Sequence, residues 1–203
     1  MKGLYLVTPD WDDTDRLLQV SEAALKGGAA LLQYRHKTAE AALRQVQASA
    51  LLALCRRFGR PFIVNDHVDL CLAIGADGVH VGGTDATIAD VRAQVGPDLI
   101  VGASCYGDLA LARSAHAAGA SYVAYGGFYP SRVKKYPVTT DCDILAKSRL
   151  EVPLPIVVIG GMTPENSAPL VAAGADMVAA ISSVYLADDP QSAAASFAAL
   201  FDK

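Results

Sequence analysis

The segment Gln33-Tyr34-Arg35-His36-Lys37 sets one amide and two cations at alternate positions. In an extended chain successive side chains point to opposite sides, so Gln33, Arg35 and Lys37 share one face and Tyr34 and His36 the other. A guanidinium fork beside a flexible ammonium suits a diphosphate, Arg giving paired hydrogen bonds and Lys a point charge. A basic surface turn is the plainer alternative. Asn65-Asp66 and Gly82-Gly83-Thr84-Asp85 follow the next two apolar runs. Each aspartate could cap a helix, yet two carboxylates on neighbouring loops also match the way Mg2+ is held together with substrate phosphates. Further along stand Ser104 in GASCYGD, a hydroxyl for a phosphate or heterocycle, and the loop YGGFYPSRVKKYP with Ser131, Arg132, Lys134 and Lys135. Gly160-Gly161 and Ile181-Ser182-Ser183 complete the set, glycine letting backbone N–H groups approach a phosphate closely.

These residues all stand where a strand pattern gives way to a helix pattern. Strands are expected at Gly3–Thr8, Ala30–Tyr34, Pro61–Asn65, Gly78–Val81, Leu99–Ser104, Tyr122–Tyr125, Ile156–Ile159 and Met177–Ala180. Helices are expected near Thr14–Lys26, Ala39–Phe58, Val68–Ile74, Ile88–Val95, Leu109–Ala117, Asp143–Ser148, Pro164–Ala172 and Pro190–Phe201. Strict alternation implies parallel pairing, because each parallel connection needs a crossover. An echo supports this: Gly-Ala precedes the second, fourth, sixth and eighth strands, at Gly28, Gly75, Gly119 and Gly174, at separations of roughly 45 to 55 residues.

The expected architecture is α/β, a single-domain (β/α)8 TIM barrel over residues 1–203 with a parallel eight-stranded core. The alternative, an open doubly wound sheet, lacks the usual G-x-G-x-x-G after its first strand. In a barrel the reacting groups belong at the C-terminal strand ends. Its mouth would then hold two anion sites, one for a diphosphate on Arg35, Lys37, Lys134 and a metal, the other for a single phosphate at Gly161 and Ser182.

Bulk properties narrow the partners. The chain has 203 residues, 52% of them hydrophobic, and a net charge of −4. This removes the broad basic footprint of a protein that grips nucleic acid. Cys55, Cys71, Cys105 and Cys142 lack disulfide or metal spacing and read as reduced, mostly core thiols of a cytoplasmic protein. The apolar run Leu4 to Val7 is too short for a signal peptide or a membrane span. Small molecules are thus the expected partners, without nucleic acid or membrane, and a homodimer is one open assembly state. The Ala and Leu stripe from Ala39 to Leu54 reads as barrel-facing core, and His80, inside the short fourth strand, as a hydrogen-bonded barrel residue.

Taken together, YLVT at Tyr5–Thr8, QYRHK at Gln33–Lys37, VNDHVDLCLAIGADGVHVGGTD at Val64–Asp85, GASCY at Gly102–Tyr106, GGFYPSRVKK and VVIGGMTPEN at Val157–Asn166 resemble the thiamine-phosphate synthase family. The resemblance runs over nearly the whole chain. It implies a (β/α)8 barrel and a transferase of thiamine biosynthesis that uses one Mg2+ per subunit. The reaction it implies joins 4-amino-2-methyl-5-(diphosphooxymethyl)pyrimidine to a thiazole phosphate, giving thiamine monophosphate and diphosphate.

Carried over by motif, the pyrimidine diphosphate is expected on Gln33, Tyr34, Arg35, His36, Lys37, Asn65, Ser104 and Lys134, with Arg35, Lys37, Lys134 and Ser104 as the catalytic set. Asp66 and Asp85 would hold the metal. Ser131, Arg132 and Val133, with Gly161, Ile181 and Ser182, would bind the thiazole phosphate, the Lys135 and Arg132 side chains being solvated. The sequence departs from the family loop P-T-x-T-K in having Ser131 and Val133, from its preceding Pro in having Gly127, and from a common His in having Tyr106. Two other readings stand beside this one. A thiazole tautomerase shares the barrel but is associated with a His where Gly126-Gly127 stand. A non-catalytic phosphate- or thiamine-binding barrel would have no use for Arg35, Lys37, Asp66, Asp85 and Lys134 together.

Overall fold

The computed structural model describes residues 1–82, 87–130 and 140–202. Eight parallel strands close into a barrel in chain order, each pairing with its neighbours and the last with the first. The elements are β1 (Gly3–Val7), α1 (Thr14–Lys26), β2 (Leu31–Tyr34), α2 (Ala41–Phe58), β3 (Phe62–Asn65), α3 (Val68–Ile74), β4 (Gly78–Val81) and α4 (Ile88–Val95), followed by β5 (Ile100–Tyr106), α5 (Leu109–Ala117), β6 (Tyr122–Gly126), α6 (Asp143–Glu151), β7 (Ile156–Ile159), α7 (Pro164–Ala172), β8 (Met177–Ala180), α8 (Ser182–Tyr185) and α9 (Pro190–Ala198). A 3-10 turn covers Ala199–Phe201.

The strands read as unbroken apolar runs because both faces are covered. On β1, Leu4 and Leu6 join the layer between barrel and helices, and Tyr5 and Val7 join a second cluster inside the barrel with Leu31, Ile63, Tyr122, Ala124, Val157, Met177 and Ala179. The same alternation governs β2, with Leu32 and Tyr34 in the outer layer and Leu31 in the inner one. On α2, Ala48, Leu51, Leu54 and Cys55 are buried, so the Ala and Leu stripe is core as expected.

Local signals set the helix boundaries. The Asp13 carboxylate accepts from the Arg16 N–H at 3.0 Å and starts α1. Thr163 and Asn166 form a reciprocal capping box at α7, with Pro164 in the first turn, where a missing N–H costs nothing. Burial pushes the Cys55 and Cys105 thiols up to about 12 and Cys71 up to about 11, which leaves them neutral; Cys142 is exposed. Among the described residues no helix is long and apolar enough to cross a membrane.

The Gly-Ala echo has a physical basis at the bottom of the barrel. Two residues after the glycine stand Asp77, Ser121 and Asp176, each accepting the first or second backbone N–H of the preceding strand: Phe62 at 2.8 Å, Val101 at 3.1 Å and Ile156 at 2.7 Å. An arginine from the preceding even-numbered helix clamps each: Arg56 to Asp77 at 2.6 Å and Gly75 O at 3.1 Å, Arg92 to Ser121 at 3.1 Å and Gly119 O at 2.9 Å, and Arg149 to Asp176 at 2.5 Å and Gly174 O at 2.7 Å. The first copy has Ala30 in this place and no clamp. There α9 packs directly on the chain instead: a Cβ on Gly27 would lie 2.3 Å from the Gln191 carbonyl oxygen, and one on Gly28 would lie 3.2 Å from the Ala198 Cβ.

Most boundaries fall within two residues of expectation and α6 runs three residues further, to Glu151, but three places differ in kind. β5 runs two residues past Ser104, with a register shift between Ser104 and Tyr106. Residues expected as a plain strand end after β8 form the short helix α8. The last expected helix divides into α9 and the 3-10 turn.

Candidate active site

The top of the barrel is built from strand ends that the sequence fills with polar side chains. At the end of β2 the backbone of Arg35 is tied to β1, its N–H donating to Thr8 Oγ1 at 2.8 Å and its carbonyl accepting from the same hydroxyl at 2.9 Å. Asp10, on the loop after β1, then gathers the two cationic residues. Its Oδ1 accepts the Lys37 N–H at 2.9 Å and lies 3.3 Å from Arg35 Nη1. The Arg35 side chain is only 11% exposed, so this carboxylate aims an already confined fork. The pair is open to solvent only on its Asp10 side, and its weight is positional.

Asp66 is the centre of the neighbouring cluster. It takes a left-handed backbone conformation at φ 64°, which short polar side chains tolerate better than others. Its N–H donates to the His80 carbonyl at 2.9 Å, which fixes the turn. Asp66 Oδ2 accepts from Lys37 Nζ at 2.7 Å and from Asn65 Nδ2 at 2.7 Å, and Oδ1 accepts from the Gly82 N–H at 3.3 Å. Burial pushes this carboxyl's pKa up, but the Lys37 ammonium, by hydrogen bond and by charge, and the Gly82 N–H outweigh it and hold it below the usual value. The group is therefore a carboxylate near neutral pH.

Inside the barrel just below, Gln33 Nε2 donates to the Tyr5 hydroxyl at 2.7 Å, and Tyr5 meets the Tyr122 hydroxyl at 2.7 Å. Tyr122 meets His80 Nδ1 at 2.9 Å, and His80 Nε2 meets Ser104 Oγ at 2.9 Å. His80 is thus the hydrogen-bonded barrel residue the sequence suggested. Gly102 makes room for this file, since a Cβ there would lie 2.2 Å from the Tyr122 oxygen and 2.6 Å from His80 Nδ1.

The second side of the mouth is formed by the ends of β6, β7 and β8. Thr140 pins the base of the loop after β6, its hydroxyl donating to Gly126 O at 2.5 Å and its N–H to Gly127 O at 3.3 Å. Tyr129 reaches across and donates its hydroxyl to Asn166 O at 3.0 Å. Gly161, at φ 61°, sits against Pro130, where a Cβ would lie 2.2 Å from the carbonyl oxygen; only glycine fits both the angle and the approach. Its own carbonyl accepts from Asn166 Nδ2 at 2.9 Å. Ile181 and Ser182 stand half-buried where β8 turns into α8.

The structure thus joins Lys37, Asn65 and Asp66 in one cluster and links Gln33 to Ser104 through the barrel interior. Two expected site residues lie elsewhere. Tyr34 is buried in the outer layer, its hydroxyl donating to Gln47 Oε1 of α2 at 2.9 Å, because strand alternation turns it away from Gln33. His36 is buried too, Nδ1 accepting the Ala39 N–H at 3.1 Å and Nε2 standing 3.0 Å from Asp12. It shapes the loop rather than facing the mouth. Asp85, Ser131, Arg132, Val133 and Lys134 lie outside the described residues. Sequence reasoning missed Asp10, whose signal is the acidic run PDWDDTD immediately after a strand, and missed Tyr5 and Tyr122, which an apolar strand pattern hides.

Among the described residues no group of three or more His, Cys, Asp or Glu side chains could hold a metal ion. Mg2+ does not require one, since it keeps several waters and is bound through one or two carboxylates with substrate phosphates. Asp66 fits that pattern: a hard oxygen donor, ionised, and already stabilising a cation in the form of the Lys37 ammonium.

Comparison with known proteins agrees with this geometry. The family model described as thiamine monophosphate synthase matches residues 4–184. A thiamine-phosphate synthase of Janthinobacterium sp. (strain Marseille) is 69% identical over 203 residues, covering 100% of this chain and 98% of that protein. One of Methylobacillus flagellatus is 50% identical, covering 100% and 96%. The solved thiamine phosphate pyrophosphorylase from Pyrococcus furiosus superposes with a TM-score of 0.84 at 32% identity, over 98% of this chain and 94% of that one. A match of this extent, over a closed eight-stranded barrel with cations and carboxylates at its strand ends, means that the chain belongs to the thiamine monophosphate synthase family.

Proposed function

We propose that this member of the family joins 4-amino-2-methyl-5-(diphosphooxymethyl)pyrimidine to a thiazole phosphate, releasing diphosphate and forming thiamine monophosphate. The observation that carries the proposal is the meeting of Lys37 with Asp66 beside the confined Arg35 fork: two cations and an ionised carboxylate at the ends of adjacent strands. This is a site for a multiply charged anion together with a cation.

In the reaction the carbon–oxygen bond to the diphosphate breaks and its electron pair leaves with the diphosphate. The methylene carbon left behind is stabilised by the electron-rich aminopyrimidine, and the thiazole nitrogen lone pair then forms the new carbon–nitrogen bond. Arg35 and Lys37 meet the charge that develops on the departing diphosphate, which is where preorganised charge lowers a barrier most. Gln33 and Ser104 orient the pyrimidine. The Gly161 turn and the start of α8 hold the thiazole phosphate, converting an encounter of two substrates into reaction of a held pair. Lys134, Ser131 and Val133 are assigned to the same two anions by motif. Mg2+, with Asp66 and Asp85 as its protein ligands, supplies further positive charge to the diphosphate when bound. No side-chain nucleophile is needed.

Incubation of the protein with both substrates tests this. Diphosphate release is expected to require the pyrimidine diphosphate, the thiazole phosphate and Mg2+ together. Metal-independent release, or none, would overturn the assignment, and isomerisation of the thiazole phosphate without the pyrimidine would favour a tautomerase.

A further inference from the structure

Gln33, Tyr5, Tyr122, His80 and Ser104 come from β2, β1, β6, β4 and β5 and form one continuous hydrogen-bonded file through the barrel. Gln33, Tyr5, Tyr122 and His80 are at most 8% exposed. We infer that this file is ordered in one direction, holding His80 as its Nε2–H tautomer and leaving Ser104 as a hydrogen-bond donor, so that Tyr5, Tyr122 and His80 are positioning residues for the pyrimidine substrate. The inference rests on the reading above, in which Gln33 and Ser104 orient that substrate.

Counting protons gives the direction. Gln33 offers Nε2, a donor, to the Tyr5 oxygen, so the single Tyr5 proton has only Tyr122 to receive it among these partners. Burial pushes the pKa of both phenols up, which keeps each of them neutral and in possession of one proton. The Tyr122 oxygen accepts from Tyr5, and its own proton goes to His80 Nδ1. An Nδ1 that accepts carries no hydrogen, so the ring proton sits on Nε2 and points at Ser104 Oγ. Ser104 Oγ, having accepted from His80, directs its own proton elsewhere.

The two ends are thereby made different. With Nε2 of Gln33 turned inward, its Oε1 is the atom left to accept from a ligand, whereas Ser104 is left to donate to one. One acceptor and one donor suit an aminopyrimidine, whose exocyclic amine donates and whose ring nitrogen accepts. A chain of this kind holds both ends without either touching the other, and a break anywhere in it releases the orientation of Ser104.

Histidine-selective 15N NMR on the wild-type protein tests the direction without any mutation. A single Nε2–H tautomer at His80 is expected; Nδ1–H, or an imidazolium at neutral pH, would overturn the inference. Tyr122→Phe removes the central link and touches neither end. Its KM for the pyrimidine diphosphate is expected to rise about tenfold, the scale of one net hydrogen bond, with KM for the thiazole phosphate unchanged and the His80 tautomer no longer single. An unchanged pyrimidine KM with a wild-type His80 spectrum would overturn the positioning role. Lack of turnover by the wild type would instead overturn the synthase reading, leaving the tautomer result to stand or fall separately.

Discussion

Asp66→Asn is expected to lower turnover by about two to three orders of magnitude while moving the thermal midpoint by no more than a few degrees. The separation of the two effects follows from the backbone. Asparagine accepts the left-handed conformation that Asp66 adopts at φ 64°, so the turn and its N–H bond to the His80 carbonyl survive. What the substitution removes is the charge that meets Lys37 and that the proposed metal site needs. Because Lys37 is half exposed, its ammonium can return to water at little cost to folding. Thermal melting and steady-state rates on the same preparation check this, and equal losses in both would mean that Asp66 serves only to build the loop. The same carboxyl fixes a pH sign. Its pKa is held below the usual value, so any stability it contributes is present above the unfolded-state pKa and is lost only as pH falls through the lower folded value.

Gly102→Ala should be severely damaging for so small a substitution, costing roughly 3 kcal/mol or more. The added Cβ would fall 2.1 Å from the Tyr122 ring and 2.6 Å from His80 Nδ1, inside a file of side chains that has no slack. Two costs then combine. The rings must shift against fixed neighbours, and buried hydroxyls lose partners they cannot replace with water. Chemical denaturation measures the loss directly. If the variant still folds, its KM for the pyrimidine diphosphate should rise with that of Tyr122→Phe; a fully stable Gly102→Ala enzyme would show that the interior is looser than its geometry.

Much of this was legible in the sequence, for identifiable reasons. Barrel strands are covered on both faces, so they read as short apolar runs, and the eight expected strands are the eight observed. Boundaries failed where that rule stops applying. β5 continues through a register shift to Tyr106, a non-glycine residue at φ 53° that no apolar pattern predicts. The helix α8 is four residues, too short for any periodicity. At the site, Arg35, Lys37, Asn65 and Asp66 stood out because charge at the end of an apolar run is conspicuous. Tyr34 and His36 were swept in with their neighbours, although alternation already set them on the opposite face. Asp10 was hidden in an acidic run that looked like ordinary solvated loop, and the Tyr5 to Tyr122 link was hidden because tyrosine counts as apolar when strands are sought.

The arginine clamps beneath the barrel divide it into four two-stranded modules, three fastened by side chains drawn from within the neighbouring sequence. The first module is fastened by α9, from the far end of the chain. The first strand pair therefore depends on a contact between distant parts of the sequence, whereas the other three are closed by residues some 21 to 29 positions apart. The first module carries Thr8 and Asp10, which aim Arg35 and Lys37. The loop that aims the two cations thus belongs to the one module held by a long-range contact, so a loosened α9 would be felt at the opposite end of the barrel.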